Sequence, residues 1–462
     1  MRQAFCPEWL IDGTGSAALP DYAVVVDDGI VRVVLPRAQL PADRDIEIVE
    51  FAGATLAPGL INNHVHLVLP GDNTPFVPWI DTQSDAALAL RAAANAARSL
   101  RAGITTVRDC GARGTTVLDL AAAQRAGLIG GAAAVACGWP ITIAGGHTRQ
   151  FGGEADGEDA LRRMVRRLVS LGADFIKVMA AGGGTPGSLP QYPSFSLREL
   201  QVVVEAAHDL GRKVAMHCIA TASIDRAVAA GADAIEHASF YGPDLIPRYD
   251  PATAERLAQS GIPVTPTLQV ARDQIDLGED VPDAALWRRR REAQLDIVAR
   301  LRALGVPILA GSDAGWRATA FETFWKEFEE LVAAGLTPVE AVRAGTGATA
   351  EALGLEQTVG TIQPGRRADL LVVDGELSRD IGCLRCVRAV YHAGKAVGLD
   401  RDPRIATIDQ ASAAPANHGL TPERLAELAP SLGALLGDLR ELERLPGIDE
   451  AEPMPAFAAW EA

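Results

Sequence analysis

The chain is short of basic residues, cysteines and long apolar runs, and each shortage excludes a class of function. Lys and Arg total 43 against 59 Asp and Glu, a formal charge of −16. No basic face is therefore expected for nucleic acid or for an anionic membrane surface. This acidity does not set the charge of a substrate, because a bound metal can hold an anion inside an acidic protein. Nowhere do about 18 apolar residues run unbroken, as a spanning helix requires. The opening Met1-Arg-Gln-Ala-Phe-Cys-Pro-Glu-Trp9 lacks the apolar core of a signal peptide, so a cytoplasmic location is expected. Six cysteines in 462 residues do not make a disulfide framework. Cys383-Leu-Arg-Cys386 has no second pair nearby to complete a zinc knuckle and reads as structural or incidental.

What is present is an ordinary globular composition, 48% hydrophobic and 22% charged, in a chain long enough for one large domain and a smaller one. Residues 1–55 read as short strands, with Asp27-Asp-Gly29 turning between Ala23–Val26 and Ile30–Val34. Residues 359–400 repeat the style through Asp369–Val373, Asp374-Gly375 and Val387–Tyr391. The two segments are expected to pair into one small β-sandwich domain. Between them, over 56–358, apolar runs alternate with helical patterns. The runs are Leu60–Leu67, Ile104–Arg108, Ala133–Cys137, Asp174–Met179, Lys213–His217, Ala234–His237, Val264–Thr267 and Pro307–Ala310. Glycines at 103, 172, 211, 231, 261 and 305 stand where helices would end and strands begin. Eight such units in about 300 residues indicate an α/β fold of the (β/α)8 TIM-barrel type. A doubly wound sheet would usually carry a Gly-rich phosphate turn after its first strand, and that place holds two histidines instead. Residues 401–462 are expected to form a C-terminal helical extension, with a helix from about Thr421 to Glu443, packed over the barrel or against another copy.

Those histidines, in Leu56-Ala-Pro-Gly-Leu-Ile-Asn-Asn-His64-Val-His66, are two residues apart. Strand side chains alternate faces, so both rings point to one place, as a shared metal ion requires. In a barrel of this type functional groups sit at the C-terminal ends of strands. His217 and His237 end the fifth and sixth runs, Asp313 follows the eighth, and His147 lies in the loop after the third. Four strand-end histidines and an aspartate suit one or two divalent ions with nitrogen and oxygen ligands. His208, His392 and His418 have no such placement and read as surface or core residues. Lys177, inside the fourth run, is costly to bury with its charge and must pair, lose its proton, be modified or snorkel to the mouth. A neutral amine there can take up CO2 to give a carbamate, an anion able to bridge two metals.

Over roughly residues 1–400 the sequence resembles the amidohydrolase superfamily of metal-dependent hydrolases. The resemblance rests on Ala57-Pro-Gly-Leu-Ile-Asn-Asn-His64-Val-His66, Gly145-Gly-His147, Gly172-Ala-Asp-Phe-Ile-Lys177-Val-Met, His217, Ile235-Glu-His237 and Gly311-Ser-Asp313-Ala-Gly. The closing Gly360-Thr-Ile-Gln-Pro-Gly-Arg-Arg-Ala-Asp369-Leu-Leu-Val completes it. Within the superfamily the pattern is similar to the imidazolonepropionase-related branch that includes Xaa-Pro dipeptidases and an ochratoxin-cleaving amidase. Asp313-Ala-Gly-Trp316-Arg317 also resembles the hydrolases of phenylureas and molinate. The resemblance implies that His64, His66 and Asp313 hold one metal, that His217 and His237 hold a second, and that carbamylated Lys177 bridges them. Zinc is the expected metal, with manganese and cobalt equally suited by the donors.

The chemistry so implied is attack of a metal-activated hydroxide on a carbonyl, with Asp313 moving the proton to the leaving amine. His147 is the candidate for holding the carbonyl oxygen, and Tyr241 for reaching the substrate. Arg108, Arg113, Arg149 and Arg317 are candidate partners for a substrate carboxylate. Trp79, Trp139, Trp316 and Phe321 are candidates for an apolar wall, and the acidic stretch Gln269–Ala285 for a lid. The expected function is cleavage of a C–N amide bond in a small molecule, an N-acyl amino acid or dipeptide, by a homo-oligomer. The alternatives are hydrolysis of a urea, carbamate or thiocarbamate, or deamination, on the same site. A scaffold without metals is disfavoured because the ligand set is complete.

Overall fold

The computed structural model describes residues 2–41, 44–278 and 283–399. The extension expected over 401–462 lies outside them. In chain order the strands are β1 (Arg2–Leu10), β2 (Leu19–Pro20), β3 (Tyr22–Asp27), β4 (Ile30–Pro36), β5 (Ile46–Pro58), β6 (Leu60–Val65), β7 (Ile104–Asp109) and β8 (Ala133–Ala136). They continue as β9 (Ile176–Val178), β10 (Val214–Ala220), β11 (Ala234–Tyr241), β12 (Val264–Thr265), β13 (Leu370–Asp374), β14 (Val387–His392) and β15 (Lys395–Ala396).

The two ends of the described chain meet in one sheet, ordered β15-β14-β13-β5-β1-β3-β4 with β2 on β1. The sandwich expected for these segments is one continuous ladder, because β13 pairs edge to edge with β5, Leu370 opposite Pro58 and Asp374 opposite Ala54. The β3–β4 turn is a two-residue hairpin at Asp28 and Gly29, both with positive φ (50° and 75°), as the strand twist requires. Phe5, Val24, Phe51, Leu370 and Tyr391 form its apolar cluster, with the Tyr391 ring edge-on to Phe5 at 4.7 Å. The sheet's longest strand matters for the site, since β5 ends at Pro58 and β6 begins at Leu60.

The remaining strands are parallel and lie in two ladders, β6-β7-β8 and β9-β10-β11-β12. Single bridges pair Ile141 with Val178, Val264 with Ile308 and Val65 with Ala314, so residues beyond each ladder's edge meet the other. The run expected as an eighth strand at 307–310 makes one such bridge and is bonded on both sides, with Val264 N–H to the Pro307 carbonyl (2.9 Å), Leu309 N–H to the Val264 carbonyl (2.8 Å) and Asn63 N–H to the Ala310 carbonyl (3.1 Å). Pro307 has no N–H to extend the pairing toward the start of the run. The strands read as unbroken apolar runs because both faces are covered: Val107, Ile176, Val214, Ile235 and Val264 are all fully buried.

Helices separate the strands, including Asp85–Arg101, Thr116–Arg125, Glu158–Ser170, Leu197–His208, Thr221–Ala230 and Pro251–Ser260. Their starts follow local chemistry. Ser196 and Glu199 form a reciprocal capping box, and the Asp250 side chain accepts from the Thr253 N–H ahead of Pro251. At the six glycines marked in the sequence, φ lies between 66° and 91°, the left-handed conformation that ends a helix. No helix among the described residues is long and apolar enough to cross a membrane.

Gly311 tests how closely this framework is drawn around the site. A Cβ there would lie 2.4 Å from Thr265 Cγ2 and 3.0 Å from His64 N. Gly311→Ala should cost about 1–3 kcal/mol in urea unfolding. Adding Thr265→Ser, which removes that methyl and keeps the hydroxyl, should recover part of the loss. An unchanged midpoint for the single variant would contradict the close approach.

Candidate metal centre

His64 and His66 leave the end of β6 on one face, their ring centroids 5.5 Å apart. Asp313 completes the group, with Oδ1 3.3 Å from Nε2 of His66 and 3.6 Å from Nε2 of His64. Its backbone is left-handed (φ 60°), a costly conformation that surrounding structure must hold. The Asp313 N–H donates to the His64 carbonyl at 2.8 Å, which ties the turn to the strand it serves.

On β11 strict alternation would send Glu236 and His237 to opposite faces. A positive φ at His237 (69°) breaks the alternation, and both side chains meet His64. Glu236 Oε2 accepts from His64 Nδ1 at 2.8 Å, and the His237 ring lies 5.0 Å from that of His64. His217, from β10, stands 4.5 Å from His237, and His147 stands 4.9 Å from His217. Lys177, from β9, is 0% exposed and its Nζ has no hydrogen-bond partner. All six expected ligands line one cavity of about 240 Å³, together with His147, Tyr241, Trp316 and Arg317.

The proton positions bear on whether a cation fits. His66 donates Nδ1–H to the Gly111 carbonyl at 2.9 Å, and His64 donates to the Glu236 carboxylate. His237 Nδ1 is 2.7 Å from Thr267 Oγ1, whose own hydroxyl donates to the Pro266 carbonyl. His217 donates Nε2–H to the Gly182 carbonyl at 3.1 Å. Each ring is left with its other nitrogen as a lone pair. His64 Nε2, His66 Nε2 and Asp313 Oδ1 thus face one another as three acceptors, lying within 4.8 Å. Such a set repels itself unless a cation or a proton lies among its members. Burial alone would lower the His66 pKa, yet the hydrogen bond and charge of Asp313 raise it, drawing a proton to this point. Burial, then the charge of neighbouring groups, holds His64, His217 and His237 well below the usual imidazole range. Neutral imidazole is the form that ligates metal. Converging lone pairs and an unpartnered buried amine fit a divalent metal centre.

A second grouping, His64 with Cys110 and Glu236, does not make a ligand set. The His64 Nδ1–H is already given to Glu236, and burial pushes the Cys110 thiol up to about 12. All six cysteines are free, Cys383 and Cys386 included.

His147 is held neutral: burial, then the charges of His66, Lys177 and Arg317, push its pKa down to about 3. Thr185 Oγ1 accepts the Thr148 N–H at 3.0 Å and lies 2.8 Å from His147 Nδ1. Its hydroxyl proton is free to point at Nδ1, which leaves His147 an Nε2–H to donate. The run Gly182–Gly184 makes room for these rings, since a Cβ at Gly183 would sit 2.4 Å from His147 Nε2.

Of the other candidates, Arg108 is consumed below the site by Glu236 (2.8 Å) and by Phe175, whose ring it covers at 4.3 Å. Arg113 holds the Ile80 carbonyl and Asp85, and Arg149 the carbonyls of Gly145 and Pro186. Arg317 lines the cavity. So does Trp316, while Trp79 and Trp139 sit under Arg91 and Arg167, and Phe321 lies in the core. The expected lid begins as a helix, Gln269–Asp276, with Val270 and Ala271 on the cavity wall; 279–282 lie outside the described residues. His208 and His392 are remote, beside Asp233 and Asp369. A larger cavity of about 450 Å³ opens at the opposite ends of the strands, beside Thr106, Phe175 and Lys213, and holds none of the expected ligands.

The sequence reading passed over Glu236, although it adjoins His237, because alternation points it away. Trp287, Arg290 and Gln294 were also missed. They belong to the helix Ala284–Ala303, whose periodicity marks it as a helix between strands without revealing that its first turns reach the cavity.

A model of the amidohydrolase family matches residues 55–407, and one of the NagA composite domain matches 14–56. The chain belongs to the amidohydrolase family. It is 30% identical to the ochratoxinase of Aspergillus niger over 257 residues, 54% of this chain and 51% of that one. It thus spans about half the length of that curated relative. It is 27% identical to the imidazolonepropionase of Chromobacterium violaceum over 406 residues, 80% of this chain and 90% of that one. Among solved structures, a Xaa-Pro dipeptidase with bound methionine superposes with a TM-score of 0.76 at 26% identity, covering 86% of this chain and all of the other. Molinate hydrolase, at 22% identity and a TM-score of 0.75 over 91% of this chain and 98% of its own, shares the fold.

The isolation of Lys177 gives a direct test. In chelator-treated protein Lys177→Met should raise the unfolding free energy by about 1–3 kcal/mol, because it removes an unsatisfied buried amine and keeps the chain length. A fall in stability would mean that the amine has a partner in the metal-free protein.

Proposed function

We propose that the chain is a metal-dependent hydrolase of carbon–nitrogen bonds whose substrate is a small amide with a free carboxylate, an N-acyl amino acid or a dipeptide. In this reading the two parallel ladders and their bridges form one (β/α)8 barrel over 56–358, and 1–55 with 359–400 form the small β domain. The observation that carries the chemistry is the convergence of His64, His66 and Asp313 as three mutually facing acceptors beside the unpartnered Lys177. His64, His66 and Asp313 would hold one divalent ion, His217 and His237 a second, and Lys177, as its carbamate, would serve both. Zinc, manganese and cobalt all suit these donors. When bound, such ions make hydroxide available near neutrality and polarise a carbonyl.

The chain's own groups do the rest. Asp313, which would hold the ion through Oδ1, takes the proton of the attacking water on its other carboxylate oxygen and returns it to the amine nitrogen as the C–N bond breaks. His147, neutral at pH 7, donates Nε2–H to the carbonyl oxygen as charge develops there. Trp316, 5.6 Å from His147 and 6.5 Å from His66, walls the site against water.

Specificity for a carboxylate is supported by two guanidinium groups at the rim. Arg290 lies over Tyr241 (5.4 Å) and Trp287 (5.0 Å), and Arg317 lies over the same Trp287 at 5.1 Å. Among the described residues neither has a carboxylate partner, and Arg290 Nε is buried without a hydrogen bond. Burial and the charge of Arg290 together lower the Arg317 pKa, so a bound anion would relieve both. The aromatic wall of Trp316 and Trp287 favours, as a second reading, a urea, carbamate or thiocarbamate without that charge.

Arg317→Met and Arg290→Met separate the two readings. Each should lower kcat/KM about 10- to 100-fold on an N-acyl amino acid, the weight of one hydrogen bond to a charged group. On the matching carboxamide each should leave kcat/KM within about twofold of wild type. Equal losses on both substrates would count against a carboxylate subsite.

A further inference from the structure

We infer that Glu236, braced by Arg108, is the positioning residue for His64, and that without it the first metal is held more weakly. The inference rests on the metal-centre reading above and concerns two residues that touch neither the substrate nor the expected ions.

Glu236 is wholly buried, and both its oxygens are engaged. Oε1 accepts from Arg108 Nη1 at 2.8 Å, and Oε2 accepts from His64 Nδ1 at 2.8 Å. A carboxylate cannot donate, so it fixes the proton of His64 on Nδ1 and leaves Nε2 as the lone pair toward Asp313. It also fixes the plane of the ring. A buried carboxylate needs its own counter-charge. Arg108 supplies one, and is itself held by the face of Phe175 at 4.3 Å and by the Asn63 carbonyl at 3.5 Å. The pair therefore spans the strand interior from β7 through β11 to β6. With His64 the pair makes three groups on three separate strands, so the ring's orientation is set by the packing of the strands themselves. His66 and His217 rely on backbone carbonyls for the same purpose, and His237 on a hydroxyl. Among the described residues, His64 is the ligand whose orientation depends on a side-chain carboxylate.

An ion pair with a purely structural role would share this geometry, and its removal would cost stability without costing metal. Metal-loaded wild type, Glu236→Gln, Glu236→Leu and the double variant Arg108→Met/Glu236→Leu would be dialysed against graded chelator. Metal per chain would be counted by elemental analysis, and unfolding measured in urea. Glu236→Gln keeps an oxygen for His64 Nδ1–H and should weaken retention of one ion slightly. Glu236→Leu should weaken it about 10- to 100-fold, the usual effect of removing the outer partner of a ligating histidine. The double variant replaces the buried pair with apolar groups of similar size, which restores stability lost to an unpaired Arg108. It should regain the urea midpoint and still lose the ion. Recovery of metal retention along with stability would overturn the positioning role. So would a Glu236→Leu chain that folds and keeps all its metal. A wild-type chain that retains no metal would overturn the metal-centre reading itself, a result distinct from either.

Discussion

Acceptors that face acceptors are the constraint around which this molecule is arranged. His64 and His66 at the end of β6 and Asp313 after the run 307–310 turn their acceptor atoms toward one another. The arrangement persists because each group is held from behind. Gly111 holds His66, Glu236 holds His64, and the backbone of His64 holds Asp313. Parallel strands make this possible, since they deliver side chains from many sequence positions to the same end of a sheet. Bringing the acceptors together costs free energy, and a cation at their centre would return it.

The same logic explains the exceptions to regular geometry. Positive φ at His237 and Asp313, both non-glycine residues, falls where the chain must turn a side chain inward against the strand's own alternation. Gly183 and Gly311 are required by proximity, because the neighbouring rings and methyl groups occupy the space that a side chain would need. Non-glycine positive φ at Thr148, His237, Thr267, Asp313 and Arg317 gathers on the side where the site is built, while the opposite ends turn at glycines.

Much of this was legible in the sequence, and what was not has physical causes. Spacing two between His64 and His66 specifies a shared face, and strand-end placement gathers His217, His237, Asp313 and Lys177. Glycines at helix ends marked the boundaries of the repeating units. Alternation, the rule that found the histidine pair, also hid Glu236, since left-handed residues from His237 onward break it and φ cannot be read from composition. Arg108 looked like a candidate for the substrate because position along a strand does not say which groups consume a charge. Arg290 and Trp287 were invisible for another reason: a helix's period reports its buried face and says nothing of which turn overhangs a cavity. The eighth strand was expected from its apolar residues, and the run bonds to β12 and β6 on either side while Pro307, without an N–H, keeps the regular pairing to one bridge.

The proposed role of Lys177 is the claim on which the binuclear reading turns, and it can be examined without knowing the substrate. Protein prepared with 13C-bicarbonate and divalent metal would be examined by 13C NMR beside Lys177→Ala, with metal counted on the same samples. The account predicts one carbamate resonance per chain with two ions in wild type, and loss of that resonance with a lower metal count in the variant. No carbamate resonance in metal-replete wild type, or one that persists in Lys177→Ala, would contradict it.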